Sequence, residues 1–312
     1  MNERIVNQIC EQVFHQKPLS IQRNLAGLGS YVYIVSYCEG KYVVKISENT
    51  GIILGSVYWL EQLKELNIPI PGILALDHEH SPAYCIITYL EGSDLGMVYS
   101  TLSTAEKKRI ARQIFDYQNI VQTIPRADGF GYLHSYNDVE NRKSSWNDVV
   151  YAHIKRSEHR ILQNKLFNTS YTDILLGHFP YFEHYFSKIQ PKAFFDDTTT
   201  KNLLIHNGSI SGIVDLDWVC FGDRLYVIAL TTLSLLAMKV DLTYVNYWIQ
   251  LEQPGKEQEQ ALIFYMMVFC ADFMSEKGMK FNKEYDDPVE EEDKLFLQNL
   301  FMELDAKLRV TI

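Results

Sequence analysis

Cysteine is scarce and follows no pairing pattern: Cys10, Cys38, Cys85, Cys220 and Cys270 are odd in number, scattered, and form no C-x-x-C. A zinc site or a disulfide framework is therefore not expected, and a reducing, cytoplasmic setting is. Long apolar runs are lacking too. The uncharged stretch Leu225 to Met238 falls short of the ~18 residues a membrane span needs and contains Thr and Ser, so it reads as a buried helix. Met1-Asn2-Glu3-Arg4 leads into an amphipathic stretch, so no signal peptide and no membrane partner are expected. Positive charge is in deficit: 29 Lys and Arg against 39 Asp and Glu give a net charge of −10, which argues against a nucleic-acid partner. G-x-x-x-x-G-K-S/T, G-x-S-x-G and H-E-x-x-H are all missing, which leaves P-loop, serine-hydrolase and zinc-protease readings without support. Core material is plentiful. With 47% hydrophobic and 13% aromatic residues over 312 positions, the chain suits one large domain or two lobes, not a disordered segment.

Periodicity divides the chain near residue 91. Ile5, Ile9, Val13 and Phe14 have helical spacing. Tyr31 to Val35 and Tyr42 to Val44 flank Glu39-Gly40 as a β-hairpin would. Val57 to Leu66 reads as a helix stopped by Pro69-Ile70-Pro71, and Ile73 to Leu76 with Tyr84 to Tyr89 read as a strand pair. Beyond Leu90-Glu91-Gly92 the pattern becomes helical. Ser103 is an N-cap candidate, helices are expected near Trp146 and Tyr171, and further ones over 225–239, 242–251, 257–277 and 289–308. A hairpin carrying Asp197 and Asp215 is the only strand-like insertion expected in this half. The reading is an α+β chain: residues 1–91 a small antiparallel sheet with a helix, residues 92–312 mostly helical.

Phe195-Asp196-Asp197-Thr198-Thr199-Thr200-Lys201-Asn202, followed by Ile213-Val214-Asp215, carries the chemistry. Asp197 and Asn202 have the spacing of a loop in which a carboxylate takes a hydroxyl proton and a carboxamide binds Mg²⁺. Asp215 stands where a second metal ligand would return on the next hairpin. Alone, an Asp-rich turn is more often bonded to its own backbone, so the weight lies in the other parts. Ala26-Gly27-Leu28-Gly29-Ser30 can fold over phosphates with backbone amides and one hydroxyl, although a G-x-G in a hairpin is usually only a turn. Lys45 interrupts the apolar strand Tyr42 to Ile46 one hairpin later, where a phosphate-binding lysine would sit.

In that order these parts resemble the aminoglycoside phosphotransferase/choline kinase superfamily of protein-kinase-like small-molecule kinases. The resemblance spans most of the chain, from the first helix through Gly129-Phe130-Gly131 to Gly222-Asp223-Arg224, and is most specific over 196–224. It implies a bilobal protein-kinase-like fold that transfers a γ-phosphoryl group from ATP or GTP, with Mg²⁺, to the hydroxyl of an amino sugar, amino alcohol or sugar. Carried over by position, Asp197 would be the catalytic base, and Asn202 and Asp215 the metal ligands. Gly27, Gly29, Ser30 and Lys45 would hold phosphates, Ile87 to Leu90 (Thr88 and Leu90 included) would meet adenine, and Asp223 would brace the loop after Asp215.

Three departures from the superfamily pattern matter. Phe195-Asp196 replaces the usual His-Gly, leaving two adjacent carboxylates as candidates for the proton acceptor. The carboxylate partner of Lys45 is ambiguous: counting back from Pro69 points to Ser56 or Val57, counting forward points to Glu61, with Glu48 or no partner as alternatives. Asp217, two residues past Asp215, is either an extra metal or supporting group or a solvated turn residue. For the acceptor, Asp241, Asp272, Glu276 and Glu290 to Asp293 would suit a cationic small molecule. Glu290 to Asp293, after Pro288, read more readily as a helix start, and Phe264 to Phe273 as core. A catalytically degraded kinase fold that binds nucleotide or a partner is the alternative.

Overall fold

A computed structural model describes residues 3–24, 30–279 and 290–312. The Gly27 and Gly29 turn and Pro288 lie outside the described residues. The first lobe comprises α1 (Glu3–Phe14), β1 (Ser20–Asn24), β2 (Tyr31–Tyr37), β3 (Gly40–Ser47), α2 (Thr50–Leu63), β4 (Ile73–Asp77) and β5 (Ala83–Thr88). Its strands form an antiparallel sheet in the order β1-β2-β3-β5-β4, which puts β3 at the centre. Strand alternation then sorts the side chains. Val44 and Ile46 pack with Val6, Ile9 and Cys10 of α1, while Cys85 on the opposite face packs with Ile53 of α2. Lys45, between Val44 and Ile46, therefore points to the α2 side, into the interior and away from any sheet edge.

Helix α2 begins seven residues before the expected Val57 because Asn49 caps it, its side chain accepting from the Gly51 amide at 3.0 Å. The second lobe follows with β6 (Ser93–Asp94), α3 (Leu95–Val98), α4 (Thr104–Val121), β7 (Gly131–Leu133), α5 (Trp146–Asn164), α6 (Ser170–Ser187) and β8 (Ala193–Phe194). Next come β9 (Leu203–His206), β10 (Ser209–Ile213), β11 (Val219–Phe221), α7 (Leu225–Ala237), α8 (Thr243–Glu252), α9 (Lys256–Glu276) and α10 (Glu291–Thr311). Ser103 starts α4 as expected, in a reciprocal capping box with Glu106.

One correction concerns the strands of this half. The β9–β10 hairpin is not alone: β6 adds to it, and β7-β11-β8 form a second small sheet. Those strands are two or three residues long, too short to show a period of two. The β9–β10 hairpin turns at Asn207 and Gly208, whose φ values of 51° and 67° are the paired left-handed geometry of a tight turn. The helices share one core in which Trp146, Phe182, Phe186, Phe264 and Tyr265 are buried, so the aromatic residues of α9 are structural. Among the described residues, no helix is long and apolar enough to cross a membrane.

Candidate functional site

The two small sheets deliver the acidic residues. β8 ends at Phe194 and the chain turns through Asp196 and Asp197 before β9. Register pairs Leu203 with Ile213, and the Val214 amide donates to the Asn202 carbonyl at 3.0 Å. Asn202 and Asp215 thus emerge side by side at one end of the hairpin. The Asn202 carboxamide nitrogen donates to the Asp197 carbonyl at 2.9 Å, which leaves its oxygen for another partner. Asp215 has φ 63°, a left-handed conformation that costs a non-glycine residue about 1–3 kcal/mol and is retained where a side chain must be aimed. A carboxylate and a carboxamide oxygen at one hairpin end are hard donors suited to Mg²⁺ sharing its shell with phosphates.

The catalytic-loop candidate is braced from α4. Gln118 accepts from the Phe195 amide at 3.0 Å and donates to the Phe195 carbonyl at 2.9 Å and to the Thr198 hydroxyl at 3.2 Å. Phe195 itself is buried, so packing and a glutamine together hold the loop where the superfamily pattern would have a histidine. The sequence did carry a sign of this: Gln118 falls in the buried stripe Ile110, Ile114, Val121 of α4.

The two adjacent carboxylates have different surroundings. Asp196 is half-buried and accepts from the Trp218 indole at 2.9 Å; burial and then the Asp197 charge push its pKa up to about 8. Asp197 is more exposed and accepts from the Thr199 hydroxyl at 3.3 Å; desolvation and then the Asp215 charge push its pKa up to about 6. The folded protein therefore binds the Asp196 proton more tightly than the unfolded chain. Stability falls as pH rises from about 4 to about 8, by at most about 1.4 kcal/mol per pH unit. Asp196→Asn is expected to remove the slope above about pH 6, leaving the part that Asp197 contributes below it, and to melt higher than the parent at pH 8 but not at pH 4. Thermal melts across that range check it, and parallel profiles would refute it.

Lys45 reaches this group from the first lobe. Its ammonium lies 2.7 Å from Asp215 Oδ1, 3.4 Å from Ser56 Oγ, and in close contact with Asp217 Oδ1, which also accepts from the Ser56 hydroxyl. Burial works against its charge, but Asp215 and Asp217 outweigh it and hold the ammonium well above its usual pKa. Burial also pushes the Asp217 carboxyl up while Lys45 pulls it down; with two donors on one oxygen, the carboxylate is the form this geometry fits.

Glu61 is corrected. It is exposed and paired with Lys64 at 2.7 Å, five residues and about 140° around α2 from Ser56, so it faces away from Lys45. Asp217 is buried, not a solvated turn residue. Thr88 spends its amide on the Gly72 carbonyl and its hydroxyl on the Gly72 amide, both at 2.8 Å, so these groups serve the sheet edge. Leu90 follows in the irregular link between lobes and packs on Gly212. Ser30 is buried at the start of β2.

Most of the candidate acceptor carboxylates are already matched by cations. Asp272 accepts from Arg156 at 3.1 Å, Ser157 at 3.1 Å and Arg160 at 3.5 Å. Burial raises its carboxyl, but His153, Arg156 and Arg160 hold it well below the usual range. Burial also lowers the His153 pKa, so near neutrality the two arginines carry that effect. Glu276 pairs with Arg160 at 3.6 Å, Asp241 with Lys107 at 2.6 Å, Glu292 with Lys239 at 2.6 Å and Asp293 with Lys277 at 2.7 Å. An uncompensated acidic lining is not what these residues form.

The model of the phosphotransferase enzyme family matches residues 20–262. The chain belongs to that family. Its fold agrees with solved structures across nearly the whole length. A thermostable variant of aminoglycoside phosphotransferase APH(4)-Ia, in ternary complex with AMP-PNP and hygromycin B, is similar with TM-score 0.70 at 15% identity, covering 97% of this chain and 98% of that one. The streptomycin–ATP complex of APH(2″)-IIa gives TM-score 0.66 at 14% identity, covering 99% and 98%. A candidate fructosamine-3-kinase from Haemophilus somnus 129PT gives TM-score 0.64 at 12% identity, covering 97% and 96%. No curated protein sequence matches the chain. The bilobal protein-kinase-like α+β fold inferred from the sequence is thus the fold of this phosphotransferase-family member.

Proposed function

We propose that this chain is a small-molecule kinase that moves the γ-phosphoryl group of ATP, or GTP, to an alcohol, with residues 1–91 as the nucleotide lobe and 92–312 as the acceptor lobe. The observation that carries the reading is the meeting of Lys45 with Asp215 at 2.7 Å, 170 residues away, beside the Asp197 and Asn202 loop. Lys45 would neutralise phosphate oxygens of the nucleotide, and the link at Tyr89 and Leu90 would meet the base. Asp197 would orient the acceptor hydroxyl and take its proton as the oxygen–phosphorus bond forms and the bond to the β–γ bridging oxygen breaks, releasing the nucleoside diphosphate. Asn202 and Asp215 would hold Mg²⁺, which supplies charge neutralisation between the β- and γ-phosphates. Asp196, hydrogen-bonded to Trp218 and half-buried, is the less suited of the two to receive that proton.

The acceptor is a hydroxyl-bearing small molecule of the amino sugar, amino alcohol or sugar classes. Because Asp272, Glu276 and Asp241 are already paired with Arg and Lys, a neutral polyol is as well supported as an amine. The test is Mg²⁺-dependent turnover of ATP and GTP against a panel of those three classes, with products identified by mass. A phosphorylated acceptor is expected. Nucleotide binding with no acceptor phosphorylated anywhere in the panel would favour a degraded kinase fold, and no nucleotide binding at all would end the proposal.

A further inference from the structure

The loss of a helix carboxylate opposite Lys45 is made good in the fold. We infer that Asp217, held by Ser56 of α2, is the positioning residue that aligns Lys45 for the nucleotide phosphates; this rests on the kinase reading above. Lys45 is buried on the central strand β3, so an unpaired ammonium there would be costly and its direction must be fixed by partners. α2 offers no carboxylate on the facing side: Ser56 stands there, and Glu61 is turned to solvent. The side chain that fills the space is Asp217, 172 residues from Lys45 in sequence, whose Oδ1 accepts from both the Lys45 ammonium and the Ser56 hydroxyl.

The backbone is built for this contact. A Cβ added to Gly55 would lie 2.2 Å from the Asp217 carbonyl oxygen and 2.5 Å from the His134 ring, so only glycine lets α2 approach so closely. His134 Nδ1 lies 2.8 Å from the same carbonyl, and the Trp59 indole donates to the Leu133 carbonyl at 2.6 Å. These bonds anchor both the Asp217 backbone and α2 without touching a substrate. Division of labour follows. Asp215 is exposed at the hairpin end and can turn to a metal, whereas Asp217 is buried and stays with the lysine. A conventional helix carboxylate would align the lysine from within its own lobe; here the second lobe does it.

Titration of the full-length protein with ATP, with and without Mg²⁺, tests the assignment. Asp217→Asn is expected to weaken nucleotide binding about ten- to a hundredfold, the effect of losing one charge-assisted bond to a buried ammonium, and by the same factor with or without the metal. Ser56→Ala, which spares the carboxylate, is expected to weaken it a few-fold while the protein stays folded, with a modestly lower melting temperature. Asp217→Ala with Ser56→Glu returns a carboxylate from the helix side into the vacated space and is expected to bind more tightly than Asp217→Ala alone. Unchanged binding in Asp217→Asn and Ser56→Ala, a loss seen only with Mg²⁺ (a metal ligand), or no gain in the double variant would each overturn the inference. A parent protein that binds no nucleotide would instead sink the kinase reading, and this one with it.

Discussion

Asp197→Asn is expected to leave a folded, nucleotide-binding protein whose phosphoryl transfer falls about a thousandfold, the middle of the range for a lost general base. The carboxylate is exposed and accepts from the neighbouring Thr199 hydroxyl at 3.3 Å. Asn202 binds the backbone carbonyl of residue 197, which the substitution keeps, so the loop geometry survives. Loss without misfolding is the signature of a group that acts on the transferred proton and not on the nucleotide. Asp196→Asn is the internal control: it should retain most turnover, because its oxygen faces Trp218. Turnover of the acceptor found in the panel, with nucleotide titration in parallel, measures both. Equal losses in the two variants would mean that the pair works as a unit, contrary to this account.

The largest expected effect on stability is at Asp223. Its Oδ2 accepts from the Tyr185 hydroxyl at 2.7 Å and the Tyr265 hydroxyl at 2.9 Å, and its Oδ1 accepts from the Leu225 amide at 3.0 Å at the start of α7. Tyr265 in turn accepts from the Trp146 indole at 2.7 Å, so one buried carboxylate joins α5, α6, α7 and α9. Asp223→Ala leaves two phenol hydroxyls and an amide without their acceptor inside the core. The expected cost is about 3–5 kcal/mol, a large part of the ~5–15 kcal/mol that keeps a typical protein folded. Asp223→Asn keeps the shape and one good acceptor, and should cost less than half as much. Chemical denaturation of the three proteins decides it; equal midpoints would show that the network is ornamental.

Much of this fold could be read in the sequence because its signals are local. Tyr31 to Val35 and Tyr42 to Val44, aromatic and β-branched, flank Glu39-Gly40 and form the β2–β3 hairpin, and Ser103 with Glu106 starts α4. Asp197, Asn202 and Asp215 stood out as candidates because their spacings, five and thirteen residues, are set by one loop and one hairpin. What was missed joins distant parts. Asp217 meets Lys45 and Ser56 across 172 and 161 residues, and no periodicity within one element can announce such a pair. Glu61 misled because the two counts disagreed: counting back from Pro69 reached Ser56, which does face Lys45 but has no carboxylate, and counting forward reached Glu61, which faces Lys64. The acidic residues of the second lobe misled for a similar reason: Arg156, Arg160 and Lys107 neutralise them from other helices.

A structure of the protein grown with AMP-PNP and Mg²⁺ tests the central claim most directly. The account predicts a divalent ion about 2.0–2.1 Å from the Asn202 carboxamide oxygen and an Asp215 oxygen, Lys45 on the phosphates, and the Asp197 carboxylate facing the γ-phosphoryl group. Nucleotide bound away from the junction of the two lobes, or an ion that avoids both side chains, would contradict it.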